Sequence, residues 1–129
     1  MISRDVYEFN KEVIQIEQPK KPQVLNNERL LFALITFHEE IQEFIEANNA
    51  GNIGEALDAL IDAIYFMMGR IYEMGISIDD FNKCWNAVHQ KNMQKIKGVK
   101  NRGTNIDAVK PSDWKPADLN SLLGLFGEY

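Results

Sequence analysis

The chain has 129 residues, of which 45% are hydrophobic, 10% aromatic and 26% charged, the make-up of an ordinary folded domain rather than of a disordered segment. Nineteen acidic against fourteen basic residues leave a formal charge of −5, which argues against a broad basic sheath for nucleic acid and permits hard cations held by carboxylates. A single cysteine, Cys84, excludes an internal disulfide, and with two histidines it cannot alone build an ordinary zinc site.

Met1-Ile2-Ser3-Arg4-Asp5 turns charged at once, so no signal peptide is visible. No apolar run approaches the ~18 residues of a membrane span. The expected location is the cytoplasm, with no membrane partner. Residues 1–25 read as a lead-in in which Val6, Tyr7 and Phe9 seat a short helical turn, and Pro19-Lys20-Lys21-Pro22 then imposes an extended connection. A long helix is predicted from about Asn26 to Asn48, with Leu30, Leu34, Phe37, Ile41, Phe44 and Ile45 as its core face. Asn48-Asn49-Ala50-Gly51-Asn52 stops it. A second helix runs from about Ile53 to Glu73 and ends at Gly75. A third starts near Ser77, where Ser77-x-x-Asp80 resembles a capping box, carries Phe81, Cys84, Trp85 and Val88 on one side, and ends near Gly98. Residues 98–129 read as a surface tail with a short amphipathic helix over Leu119 to Phe126, and no strand is predicted. The fold class is all-α: a compact bundle of three main helices with short terminal segments, one domain over 1–129 with its helical core at 26–97.

The carboxylates carry the chemistry. At about 100° per residue, Glu40 lies beside the Phe37/Phe44 face of the first helix and Glu43 about 60° further round, one turn away. On the second helix Glu55, Asp58 and Asp62 fall within roughly 60° of arc, while Leu57, Leu60, Ile61, Ile64, Phe66, Met67, Met68 and Ile71 make most of the remainder apolar. A helix apolar almost all round is expected to be buried, which turns its acidic stripe into protein. Arg29 and Arg70 are the basic residues of these two helices, both near helix ends, so an external cation is the economical partner. Oxygen ligands on facing helices suit Mg²⁺, with Mn²⁺ able to substitute. A di-iron bundle would want Glu-x-x-His pairs, which neither histidine supplies. Tyr65 continues the acidic stripe by a turn, as core packing or as a ligand contact. The run from His89 to Lys97 places Lys91 and Lys95 near a helix end, where they complement the helix dipole; Lys95 and Asn92 are equally candidates for polyphosphate contact. No P-loop, Gly-rich cradle or Ser-His-Asp order is present, which leaves metal-assisted chemistry.

Glu39-Glu40-x-x-Glu43 followed by Glu55-x-x-Asp58-Ala59-Leu60-x-Asp62-x-x-Tyr65 resembles the MazG-like all-α nucleoside triphosphate pyrophosphohydrolases, and more closely their phosphoribosyl-ATP pyrophosphohydrolase-like branch, often found in phages. That branch continues with Gly-Ile, here Gly75-Ile76. A Val-His-x-Ser-Asn-Met-x-Lys segment follows, here Val88 to Lys95 with Lys91 in place of the serine. Its late Lys-Pro-x-x-Trp-x-Pro-Pro-Asp-Leu segment is here Lys110 to Leu119, with Ala117 in place of a proline. By position the resemblance implies that Glu40, Glu43, Glu55 and Asp58 hold Mg²⁺, with Asp62 as a further ligand. It implies cleavage of a (deoxy)nucleoside triphosphate between the α and β phosphates to monophosphate and pyrophosphate. Glu40 or Glu43 would act as base and Lys95 would steady the leaving group, with Tyr65, Lys91, Asn92, Lys95 and Trp114 as substrate contacts. If the chain is phage-encoded, the cytoplasm is the host's. Phosphoribosyl-ATP hydrolysis, a non-catalytic metal and nucleotide-binding module, and a structural oligomer with solvated acids are the alternatives. The apolar second helix also predicts a homo-oligomer, a dimer or a dimer of dimers, with Leu57, Ile61, Ile64 and Met68 covered within the chain and Ala59, Ala63, Phe66 and Met67 meeting a neighbour.

Overall fold

A computed structural model describes residues 1–125, and the chain divides into two compact units, Met1–Ser77 and Ile78–Tyr129. The first holds three helices, α1 (Ile2–Glu12), α2 (Asn27–Asn49) and α3 (Ile53–Glu73). Both long helices begin at an asparagine cap. The Asn26 side chain accepts a hydrogen bond from the Arg29 N–H at 2.9 Å, and Asn52 accepts from the Glu55 N–H at 3.1 Å, each worth about 1 kcal/mol of helix stability. The short Ala50–Asn52 link makes α2 and α3 an antiparallel hairpin. Arg29 consequently meets Glu73, and the rings of Phe32 and Phe66 meet edge to face at 6.1 Å.

Small side chains line the seam of this hairpin. Ala33, Thr36, Glu40 and Ala47 are the buried residues of α2, and Ala59 is buried on α3. The expected core face of α2 is therefore corrected: Leu30, Leu34, Ile41 and Ile45 are exposed. On α3 the expected division is corrected in part: Ala59 lies inside while Leu57, Ile61 and Ile64 face out, and Met67 is exposed as expected. The reason is steric: alanine and threonine let two helix backbones close together where leucine and isoleucine would hold them apart.

α1 packs on the far end of α3. Val6 is completely buried, and Tyr7 meets the Tyr72 ring edge to face at 5.1 Å. The Tyr7 hydroxyl donates to the Ile76 carbonyl at 2.7 Å, and burial pushes its pKa up to about 12. The lead-in thus contains an eleven-residue helix rather than a single turn, because Ser3, Val6, Tyr7 and Asn10 recur at helical steps and all are buried. Gly69 permits the contact, since a Cβ there would stand 3.0 Å from Asn10 Nδ2. The Pro19–Pro22 stretch then runs along the end of α3. Gln18 Nε2 donates to the Ile76 carbonyl at 2.8 Å and the Gln23 N–H to the Met74 carbonyl at 2.8 Å. Gly75, at φ +73, fits beneath it where a side chain would run into the Lys21 carbonyl.

The second unit holds α4 (Ile78–Asn92), an antiparallel pair β1 (Ile96–Lys100) and β2 (Thr104–Val109), and α5 (Leu119–Leu122). The expectation of no strand is corrected here. So is the end of the third helix, which stops at Asn92 and not near Gly98. β-branched Ile96, Val99, Thr104, Ile106 and Val109 flank the turn residues Asn101-Arg102-Gly103, a hairpin signal that competes with helix. Ile96 pairs with Val109 and Gly98 with Asp107, and the register shifts between Gly98 and Lys100. α5 starts at the Asp118 cap and ends at Leu122, with Leu123 as its C-cap, so it is shorter than the expected Leu119–Phe126 helix; Phe126 itself lies outside the described residues. The chain is therefore mostly helical, with a small two-stranded sheet. Among the described residues, no helix is long and apolar enough to cross a membrane.

Candidate metal centre and adjoining cavity

Glu40 and Glu43, one turn apart on α2, meet Asp62 of α3 across the hairpin seam, and one carboxylate oxygen from each lies within 4.8 Å of the others. Glu40 is only 7% exposed, and its Oε2 is buried with no hydrogen-bond partner. Leaving a carboxylate in that state is costly, and three such groups together repel one another. The protonation equilibria register both effects. Burial first, then the Glu43 carboxyl beside it and the charges of Asp62 and Asp58, raise the Glu40 pKa to about 7. Burial, Asp58 and Glu43 raise that of Asp62. A divalent cation would satisfy the orphaned oxygen and cancel the repulsion, and an all-oxygen donor set fits Mg²⁺ or Mn²⁺.

Two other acidic residues of the sequence pattern stand apart from this trio. Asp58 is exposed but close enough to raise both Glu40 and Asp62. Glu55 is exposed in the first turn of α3. Lys91, Asn92, Lys95 and Trp114 belong to the second unit. The Trp114 Nε1–H donates to the Lys91 carbonyl at 2.7 Å. The ammonium groups of Lys95 and Lys110 lie 5.1 and 4.9 Å from the Trp114 ring centroid. Asn92 closes α4, and its carbonyl accepts the Lys95 N–H at 3.0 Å.

Glu40 and Asp62 also line a cavity of about 540 Å³ in the first unit, within the size range of small-molecule sites. Its walls are aromatic: Phe9 and Tyr65 meet edge to face at 5.6 Å, and Phe32 and Phe66 stand beyond them. Tyr65 therefore belongs to the cavity. At the end remote from the carboxylates are Arg29 and Arg70. Glu73 ties them together, accepting from Arg29 Nη2 at 2.6 Å and from Arg70 Nη2 at 3.3 Å. Both guanidinium carbons stack over the Phe32 ring, at 4.3 and 4.8 Å. Sequence reasoning left Glu73 out. The available signal was its position three residues after Arg70 on one helix face.

The raised carboxylates predict a pH dependence. Because Glu40 titrates near 7 in the folded chain and near an ordinary glutamate value when unfolded, the folded state holds the extra proton between those limits. Stability of the chelator-treated protein is thus greatest on the acid side of this window and falls as pH rises through 7. Thermal unfolding at pH 5 to 8 in excess chelator should show that fall, Glu40→Gln should flatten it, and a wild-type midpoint that does not fall across this range would contradict the assignment.

The sequence profile of the phosphoribosyl-ATP pyrophosphohydrolase family matches residues 6–92. That span contains α2, α3, α4 and most of α1, hence the carboxylate trio and the aromatic and arginine walls of the cavity; Lys95 and Trp114 fall beyond it. Comparison with curated proteins gave no match. With most of its length matched, including the helical hairpin that builds the acidic centre, the chain belongs to the phosphoribosyl-ATP pyrophosphohydrolase family, among the MazG-like all-α pyrophosphohydrolases that act on nucleotides.

Proposed function

We propose that the protein is a Mg²⁺-dependent nucleoside triphosphate pyrophosphohydrolase, adding water across the α–β anhydride to release a monophosphate and pyrophosphate. The observation that carries this reading is the orphaned Glu40 oxygen, buried in a trio of carboxylates of which Glu40 and Asp62 line an aromatic-walled cavity of about 540 Å³. Glu40, Glu43 and Asp62 would hold the cation, with Asp58 and Glu55 as further candidates. Bound there, it would neutralise phosphate oxygens and lower the pKa of a water molecule.

The chain's own groups supply the remainder. A carboxylate oxygen not used as ligand, on Glu40 or Glu43, accepts the proton of the attacking water. The walls formed by Phe9, Phe32, Tyr65 and Phe66 stack on the base and keep bulk water from it. Lys95 is proposed to stabilise charge on the pyrophosphate leaving group, with Lys91, Asn92 and Trp114 as further substrate contacts; their support is the sequence pattern. The active species is proposed to be a homo-oligomer.

Incubation with a panel of nucleoside and deoxynucleoside triphosphates and phosphoribosyl-ATP, followed by pyrophosphate detection, tests the reading. Turnover of a triphosphate with Mg²⁺ or Mn²⁺ is expected, with Ca²⁺ a poor substitute because it takes more ligands at longer distances. Excess chelator should abolish it. Full turnover in chelator would overturn the metal assignment, and nucleotide binding without pyrophosphate release would make the protein a binding module.

A further inference from the structure

Arg70 is 7% exposed, yet its Nε and Nη1 are buried with no hydrogen-bond partner. Buried donors left unsatisfied are expensive, and this side chain lines the same cavity as Glu40 and Asp62. Arg70 follows Asp62 by eight residues on α3, about 12 Å of helix rise at about 1.5 Å per residue. That separation matches the reach of a nucleotide from its phosphates to the far edge of its base. The aromatic side chains line the cavity that both ends share.

The charge balance says what kind of group Arg70 awaits. The Glu73 carboxylate already bonds both guanidinium groups, so the cluster carries only one net positive charge, with Phe32 stacked against it. A second phosphate placed there would be desolvated beside the Glu73 carboxylate, which disfavours it. A neutral acceptor has no such penalty. Guanidinium has donors only. At the far edge of the bases, guanine and thymine (or uracil) present a carbonyl oxygen, whereas adenine and cytosine present an amino donor.

We propose that Arg70 is the base-specificity residue of this site, donating from its unpartnered nitrogens to a carbonyl oxygen at the far edge of the base, so that uracil, thymine and guanine nucleotides are preferred to cytosine and adenine ones. The inference rests on the pyrophosphohydrolase reading for its assayed substrates, but its chemistry is binding.

The test compares kcat/KM for dUTP and dGTP with that for dCTP and dATP, in Mg²⁺, for wild type, Arg70→Gln and Arg70→Lys. Wild type should favour the carbonyl-bearing pair by about tenfold or more. Arg70→Gln, whose amide both donates and accepts, should bring the ratio to within about threefold of unity, and Arg70→Lys should restore it in part. Equal or reversed preference in wild type, or an unchanged ratio in a folded Arg70→Gln protein, overturns the proposal. Should that variant fail to fold, calorimetric binding of dUMP, dGMP, dCMP and dAMP to wild type with Mg²⁺ decides alone, by the same preference. The two readings fail separately. Preferential binding of dUMP and dGMP without turnover of any triphosphate would sink the hydrolase and leave Arg70's role standing. Turnover with no base preference would do the reverse.

Discussion

Glu43→Gln and Asp62→Asn should each lower pyrophosphate release by a factor of about a thousand or more, a loss of about 4 kcal/mol in transition-state stabilisation, while unfolding at the same temperature as wild type or higher. The two halves of this result have one cause. The trio crowds three carboxylates within 4.8 Å around a buried oxygen that has no partner, so neutralising one relieves repulsion in the metal-free chain. The same change removes a charged ligand, so cation affinity falls with activity. Calorimetry with Mn²⁺ should follow the loss. Asp58→Asn sorts the wider pattern: an effect as large as that of Asp62→Asn would make it a direct ligand, and a weaker one would make it a charge that tunes Glu40 and Asp62 from outside. Wild-type turnover in a folded Glu43→Gln protein would remove Glu43 from the centre.

The acidic centre was legible in the sequence because its logic is helical. Residues at i and i+3 on α2, and at an i+4 step on α3, need only an antiparallel hairpin to converge, and the stop signal Asn48-Asn49-Ala50-Gly51-Asn52 between two long helical patterns announces one. The depth of each carboxylate was not legible. Helical periodicity set Glu40 at the margin of an apolar stripe, whereas the seam closes on Ala33, Thr36, Ala47 and Ala59 and draws Glu40 fully inside. Hydrophobicity alone ranks leucine above alanine for burial, and close helix approach reverses that order. The arginine end of the cavity was hidden for a related reason. Arg29 and Arg70 are far apart in sequence, and only the hairpin shows that Glu73 takes a hydrogen bond from each while leaving two Arg70 nitrogens over. The hairpin of β1 and β2 was missed where its evidence was local: β-branched residues on either side of Asn101-Arg102-Gly103 were outweighed by the helical run before them.

Light scattering at micromolar concentration should find the protein larger than a monomer, and Leu57→Glu with Ile61→Glu should reduce it to monomers or leave it prone to aggregate. Leu57 and Ile61 are 56% and 44% exposed, and Ile64 and Met67 continue the same side of α3. Leu34, Ile41 and Ile45 stand exposed on α2. Side chains of this size each gain roughly 1.5–3 kcal/mol when fully buried, so covering them is the expected outcome. A second copy is the occupant proposed, because a two-fold axis lets one apolar stripe cover its own counterpart without requiring a second kind of surface. The contact predicted from the sequence used Ala59, Ala63, Phe66 and Met67; with Ala59 enclosed in the chain's own hairpin, Leu57, Ile61 and Ile64 join Met67 in that role. Glutamate at positions already exposed leaves the α2–α3 seam untouched while placing like charges face to face across the axis, so the variant chain should keep its helical signal as it dissociates. A wild-type monomer with full helical content and no tendency to aggregate would show that these stripes are tolerated in water, and would take the shared interface away with them.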